Sequence, residues 1–140
     1  MLETIADLGF KPEVVSAEEV APGAQRTVPI PEPVASALAA AKPEGKLVFL
    51  DFWAEWCGPC KVLEAKTIAD PRIRDFLSRH IFLRVDTDAE TESVRYLQAF
   101  GLPTVVVLSA NGEEVFRHVG FIEAEELAAE LDKLTTNASP

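Results

Sequence analysis

The chain has few cysteines and few basic residues for its length. Its 140 residues include two cysteines, and 13 Lys and Arg stand against 23 Asp and Glu, for a formal net charge of -10. The sequence has no basic patch to neutralise phosphate, which argues against a nucleic-acid-binding surface and against docking on an anionic membrane. Without a third cysteine, the cysteines alone cannot supply the four ligands of a structural zinc site.

Long hydrophobic runs are also missing. The longest one, residues 47–54, is interrupted by Asp51 and is far too short to span a bilayer. Residues 1–7 contain no basic region followed by an apolar stretch, so we expect no signal peptide and a cytoplasmic location. The alternative is a periplasmic or other extracytoplasmic location, for a domain cut from an exported or membrane-tethered precursor. The length fits one domain with an appendage, and we expect a monomer.

Both cysteines lie in one hexapeptide, WCGPCK at residues 56–61, directly after the apolar run. Two cysteines three residues apart in the first turn of a helix reach disulfide geometry without moving the backbone. Unpaired N–H groups and the helix dipole favour negative charge at that end, so we expect Cys57 to be partly thiolate and nucleophilic. Cys60, one turn further in, is expected to be less exposed and to react second.

Metal binding is an alternative use of the cysteine pair. His80 and His118 could complete a zinc site, but neither has the spacing of a zinc finger. Two thiolates are enough for copper, although metallochaperone loops are normally flexible and Trp53, Trp56 and Pro59 stiffen this one. We predict no metal and no cofactor. Copper or other soft-metal transfer, and a non-catalytic binding module, stay open as alternatives.

The hydrophobic pattern predicts alternating helices and strands. Helices are predicted at about residues 32–41, 57–67, 71–79, 91–100 and 123–134, and strands at 46–53, 81–85, 104–109 and 114–119. The strands at 46–53 and 81–85 are expected to be buried, Gly101 to stop the fourth helix, and Asn111 with Gly112 to form a hairpin turn. A short helix at residues 2–8 and a strand at 12–15 are predicted before the first proline-rich segment.

Residues 51–61, DFWAEWCGPCK, resemble the active-site segment of the thioredoxins. Residues 101–108, GLPTVVVL, resemble the segment in which thioredoxin-fold proteins place a cis-proline against the dithiol, which implies a cis peptide bond before Pro103. The resemblance covers about residues 34–134. It implies the α/β thioredoxin fold, a central mixed sheet flanked by helices on both faces, with an N-terminal extension and linker at 1–33 and a frayed tail at 135–140.

The frame around the dithiol is similar to the C-terminal thioredoxin-like domain of DsbD and its soluble relatives. This likeness lies in Glu64 and in residues 67–73, TIADPRI. Thioredoxins proper usually carry a helix-kinking proline in the active-site helix, and this chain has none between residues 61 and 70. It also has Phe82 where thioredoxins usually place a buried lysine. The pair Gly58 and Pro59 departs in the other direction, since it belongs to thioredoxins.

The combined pattern predicts a thiol–disulfide oxidoreductase that works mainly as a protein disulfide reductase. Its partners would be disulfide-containing client proteins and an upstream thiol electron donor, either thioredoxin-reductase-like or a membrane electron carrier. The resemblance implies a shallow apolar platform for the client chain, with Trp53 largely in the core and Trp56 largely at the surface. The platform residues are Trp53, Trp56, Gly58, Pro59, Gly101, Leu102, Pro103 and Gly120.

Two acids complete the predicted catalytic set of Cys57, Cys60, Asp51 and Glu64. Asp51 is a carboxylate in an otherwise apolar strand, where burial is expected to raise its pKa. We expect it to be the base that takes the proton of Cys60, directly or through a water. Glu64 follows Cys60 by four residues and therefore lies on the same helical face, beside the cysteines in the DsbD-like frame.

The positions of the two cysteines predict the order of their reactions. Alkylation of the reduced protein at neutral pH is expected to modify Cys57 first by a wide margin, because its thiol lies at the start of the helix. A short pulse of iodoacetamide followed by peptide mass spectrometry measures the order. Preferential labelling of Cys60 would contradict the mechanism.

Overall fold

The computed structural model describes residues 29–138. In this range the helices are α1 (Val34–Ala41), α2 (Gly58–Leu63), α3 (Pro71–Arg79), α4 (Thr91–Leu97) and α5 (Ala124–Ala138). The strands are β1 (Val48–Trp53), β2 (Ile81–Asp86), β3 (Thr104–Leu108) and β4 (Glu114–Val119). A 3-10 turn (Lys42–Glu44) follows α1, and a π-helical turn (Glu64–Ile68) follows α2. The helix and strand predicted within residues 2–15 lie outside the described residues.

The strands form one mixed sheet in the order β2-β1-β3-β4. β1 is parallel to β2 and antiparallel to β3, which pairs antiparallel with β4. The β3–β4 connection contains Asn111 and Gly112, whose φ of 91° is favourable for glycine. The hairpin and the fold class of a mixed sheet flanked by helices are confirmed.

Two apolar cores lie on opposite faces of the sheet. One is formed by α1 and α4 against Leu50 of β1, and the other by α2, α3 and α5 against Phe49 of the same strand. Successive residues of β1 therefore pack into different cores, because side chains along a strand point alternately to the two faces of the sheet. This confirms that β1 is buried on both faces and explains its continuous apolar run.

The prediction that β2 is a buried strand is wrong. β2 is the edge of the sheet and pairs only with β1. Val85 is its one buried residue, and Phe82 is 37% exposed. Apolar composition alone does not reveal whether a strand has a second neighbour, because that depends on residues far away in the sequence.

Two helix ends differ from the prediction. α4 stops at Leu97 because Gln98 takes the left-handed conformation that ends helices, with φ of 56°. The expectation that Gly101 stops this helix is therefore wrong, and the following residues form a loop instead. That loop leads to a cis peptide bond between Leu102 and Pro103, which confirms the expected cis-proline. α5 ends at Ala138, beyond the predicted end at residue 134.

The active-site helix, predicted as one helix over residues 57–67, consists of two segments, α2 and the π turn. Within the π turn Thr67 is fully buried, and its hydroxyl donates a hydrogen bond to the Ile122 carbonyl at 2.6 Å. A buried carbonyl without a partner is costly, so this bond matters for stability. It ties the helix that carries the cysteines to the segment before α5.

Replacing Thr67 with valine is expected to lower the free energy of unfolding by about 1–3 kcal/mol, because the isosteric side chain leaves the Ile122 carbonyl unpaired. The matched control is Thr135→Val, which removes an exposed hydroxyl that bonds the Asp132 carbonyl within α5. This control is expected to change stability by less than about 0.5 kcal/mol. Urea denaturation measures both, and equal effects would contradict the assigned role of Thr67.

Candidate active site

Cys57 and Cys60 form a disulfide at the start of α2, with their Cα atoms 5.3 Å apart. Cys57 is the residue that caps the helix, and its Sγ accepts a hydrogen bond from the Cys60 backbone N–H at 3.1 Å. An N–H group aimed at this sulfur stabilises negative charge on it once the disulfide is reduced. Cys57 thus lies at the start of the helix, as the sequence predicts.

The expected difference in exposure between the two cysteines is not observed. Each is 4% exposed in the disulfide form. Both pack in a small cluster with Ala54, Trp53 and Leu102, so the same side chains shield both cysteines from solvent. In the disulfide form the two cysteines therefore do not differ in exposure, and only Cys57 caps the helix.

An open groove of about 420 Å³ runs beside the disulfide. Its walls carry two strongly exposed aromatic side chains, Trp56 at 70% and Phe100 at 72%. The Trp56 indole N–H donates to Asp88 Oδ2 at 3.0 Å, which holds one wall in place. Exposed aromatic surface of this kind is typical of interaction sites.

The groove contains part of the predicted platform. Its lining residues are Trp56, Cys57, Gly58, Pro59, Thr87, Val94, Ala99, Phe100 and Leu102. Phe100 was missed because the sequence places it in a helix, whereas α4 ends before it and leaves its side chain in the loop. Among the other expected platform residues, Trp53 is half-buried and lies outside this lining.

The cis-proline loop lies next to the groove. Leu102 packs on the cysteines, and the Gly120 N–H donates to the Pro103 carbonyl at 2.7 Å. Gly101 lies close to Val119, since a Cβ at residue 101 would be only 3.0 Å from the Val119 side chain. Pro103, Gly101 and Gly120 thus support the wall that Leu102 presents and do not line the groove themselves.

Asp51 lies in the middle of β1 and is 2% exposed. Burial raises the pKa of its carboxyl from 3.8 to about 6, an effect that the Arg84 guanidinium opposes and that the charge of Glu64 reinforces. The expected burial and raised pKa are confirmed. At neutral pH the carboxyl is therefore mostly ionised, but close enough to its pKa to accept a proton.

Arg84 is a site residue that sequence reasoning missed. Its Nε lies 3.4 Å from Asp51 Oδ2 and its Nη2 lies 3.4 Å from Glu64 Oε1, while its guanidinium carbon stands 4.3 Å from the centre of the Trp53 ring. The Glu64 side chain is half-exposed and points to this cation. Arg84 could have been found only from the β1–β2 register, which pairs residue 51 with residue 84. That register cannot be derived without knowing that the two strands are parallel neighbours.

Phe82, which stands where thioredoxins usually place a buried lysine, packs edge-on against Phe49 with ring centres 5.9 Å apart. The cation beside Asp51 comes instead from Arg84, two residues further along β2 on the same face.

The histidines are engaged elsewhere. His80 Nδ1 accepts the Leu47 N–H at 3.1 Å and its ring stacks on Phe76, while His118 Nε2 lies 3.0 Å from the Phe121 carbonyl oxygen. Within residues 29–138 no three His, Cys, Asp or Glu side chains are grouped closely enough to share a metal ion. The described helices also include none with the length and apolarity needed to cross a membrane.

A family model for the thioredoxin-like domain matches residues 34–135. The chain belongs to this thioredoxin-like family. The match takes in the disulfide, the buried acid and the cis-proline loop described above. This family match and the Cys57–Cys60 disulfide together confirm the thiol–disulfide oxidoreductase class predicted from the sequence.

Curated relatives of this thioredoxin-like chain include thiol:disulfide interchange proteins named DsbD. The protein of Pectobacterium atrosepticum is 38% identical over 94 residues, which cover 63% of this chain and 16% of that protein. DsbD 1 of Pseudomonas aeruginosa is 31% identical over 131 residues, or 89% of this chain and 22% of that protein. The chain therefore spans only between 16% and 22% of the length of these two relatives.

Solved structures support both halves of the expected resemblance. The C-terminal domain of Neisseria meningitidis DsbD in its oxidised form is 30% identical with a TM-score of 0.60, over 71% of this chain and 90% of that one. A thioredoxin of Thermus thermophilus is 28% identical with a TM-score of 0.66, over 76% and 87%. The thioredoxin fold and the DsbD-like frame are confirmed, whereas none of these comparisons supports the expected cytoplasmic location.

The raised pKa of Asp51 predicts a pH-dependent gain of stability in the Asp51→Asn variant. Because the folded pKa is about 6 and the ordinary one is 3.8, the acid weakens folding progressively as pH rises from about 4 to about 6, and fully above that. A shift of this size corresponds to at most about 3 kcal/mol. Loss of the contact with Arg84 offsets part of the gain.

We therefore expect oxidised Asp51→Asn to be more stable than the wild type by about 1–3 kcal/mol at pH 8 and nearly equal to it at pH 4. Urea denaturation at the two pH values is the measurement. Asp75→Asn, which removes an exposed acid paired with Arg79 on α3, is the control and is expected to show no such gain. A wild type as stable as Asp51→Asn at pH 8 would contradict the assignment.

Proposed function

We propose that this domain reduces protein disulfides through a Cys57–Cys60 dithiol cycle. The observation that carries the proposal is the capping position of Cys57 Sγ, which receives a backbone N–H while it borders an apolar groove. A thiolate in such a position is both stabilised and reachable by an incoming disulfide. The exposed aromatic walls of the groove supply the contact area for a client chain.

The reaction has two exchange steps. The Cys57 thiolate attacks one sulfur of the client disulfide, so that a mixed disulfide forms, the client bond breaks, and the first client sulfur leaves as a thiolate and takes a proton. Cys60 then loses its proton and attacks the Cys57 sulfur, which releases the second client sulfur, again protonated. Two electrons have passed to the client, and the protein carries the Cys57–Cys60 bond.

Asp51 is the base that takes the Cys60 proton in the second step. Its pKa of about 6 leaves it mostly ionised at neutral pH, and its burial in β1 keeps it in the apolar interior of the domain. Glu64 adds negative charge near this carboxyl and so raises its affinity for a proton. Trp56, Gly58, Pro59 and Leu102 contact the client, as lining residues of the groove.

The reducing direction is supported by the Gly58–Pro59 pair, which resembles that of reducing thioredoxins. An upstream thiol donor, either thioredoxin-reductase-like or a membrane electron carrier, returns the electrons. The relatives named DsbD favour the alternative location, outside the cytoplasm, and we infer a domain that acts there on disulfide-containing proteins. Trapping with Cys60→Ser in the native host would capture client and donor as mixed disulfides and report the compartment.

The dithiol-reduced protein is expected to reduce insulin disulfides, and Cys57→Ser is expected to show no activity above background. In equilibrium with glutathione buffers, the potential is expected near the roughly -270 mV of thioredoxin and far from the roughly -120 mV of a strong oxidant. Turbidity of the precipitating insulin chain measures insulin reduction, and Lys66→Ala, an exposed change on the π turn, is the control for this activity. Tryptophan fluorescence measures the redox equilibrium with glutathione. A potential near the oxidant value would overturn the reductase assignment.

A further inference from the structure

Arg84 contacts three side chains at once, and one of them packs against the cysteines. Its two ion-pair contacts reach Asp51 on β1 and Glu64 on the π turn, and its guanidinium lies over the Trp53 ring. A guanidinium is planar and has donors on several edges, so one side chain can serve two carboxylates and a ring at the same time. Two of these partners differ sharply in environment, since the Asp51 side chain is 3% exposed and that of Glu64 is 51% exposed.

The backbone fixes this arrangement. Residues 51 and 84 are direct partners in the parallel β1–β2 pair, so both side chains leave the same face of the sheet. Trp53, two residues further along β1, shares that face and packs against the cysteine cluster. Arg84 is therefore held over a ring that itself packs against the cysteines.

We propose that Arg84 is a positioning residue of the redox centre, which holds Asp51 and Glu64 together and so sets the pH at which the buried carboxyl takes up a proton. This role rests on the proposed reductase cycle, in which that proton comes from Cys60. The effect of Arg84 on the titration midpoint of Asp51 does not depend on the cycle and can be measured in the oxidised protein.

The charged groups that act on Asp51 come from two sides. In the described part of the chain, β2 contributes the Arg84 cation and the π turn contributes the Glu64 anion, while β3 places the uncharged Val105 opposite Asp51. In the reduced protein the thiols of α2 are added. Without the cation, burial and the remaining anion both favour the neutral acid.

The test compares oxidised full-length wild type, Arg84→Gln and Arg84→Lys by NMR titration of ¹³C-labelled Asp carboxyls, with the Asp51 signal assigned by its loss in Asp51→Asn. In Arg84→Gln the midpoint is expected to rise from about 6 to about 7 or higher, since a neighbouring opposite charge lowers an Asp pKa by roughly 1–3. Arg84→Lys is expected to lie between the two. The matched control is Arg79→Gln, which breaks an exposed pair with Asp75 on α3 and is expected to leave the midpoint unchanged.

A kinetic experiment tests whether the Asp51 midpoint controls release of the mixed disulfide. Stopped-flow mixing of the reduced proteins with a disulfide peptide resolves formation and release of the mixed disulfide. With less Asp51 ionised, release by Arg84→Gln at pH 7 is expected to slow about two- to tenfold and to recover by pH 9. A residue that only supported packing would slow release equally at both pH values.

Two results would overturn the proposal: an Asp51 midpoint in Arg84→Gln that matches the wild type, or slow release that does not recover at high pH. A different result would overturn the proposed function alone. If the Asp51 midpoint rises in Arg84→Gln as expected but the wild-type protein fails to reduce insulin, the reductase assignment is wrong. The effect of Arg84 on the Asp51 carboxyl is then still supported.

Discussion

The burial of a carboxylate in the central strand is the constraint on which the site depends. β1 has a strand on each side and an apolar core on each face, so the Asp51 side chain has no short route to water. An isolated charge in such a place costs several kcal/mol, and proteins reduce that cost by pairing the charge or by shifting its pKa. Here both occur, because Arg84 stands beside the acid and the pKa still rises to about 6.

The parts of the molecule that are local in sequence could be predicted. The apolar run of β1, the cysteine turn and the Asn111–Gly112 hairpin each depend on residues within a few positions of one another, and each appears where expected. The raised pKa of Asp51 also followed from local reasoning, because an acid inside a strand of that composition is buried. The cis bond before Pro103 came from resemblance, since nothing in the residues themselves requires it.

The parts that depend on distant pairing could not be predicted. Arg84 is 33 positions from Asp51, and only the β1–β2 register brings the two together. β2 was predicted to be buried for the same reason, because the sequence does not show which strands pair with it, and it is in fact the edge of the sheet. Phe100 was lost for another reason: Gln98 ends α4 in a left-handed conformation that non-glycine residues seldom adopt, so the sequence contains no clear stop signal.

The π turn lets the segment after the cysteines hold one more residue than an α-helix would. Its hydrogen bonds join residues five apart instead of four, so it takes up about one extra residue between Glu64 and Ile68. In a purely α-helical segment, one added residue would rotate the chain after it by roughly 100°, the angle between successive residues of an α-helix. The π turn avoids that rotation, and Thr67 keeps the face from which its hydroxyl reaches the Ile122 carbonyl. The turn therefore separates the length of this segment from the faces that its residues present.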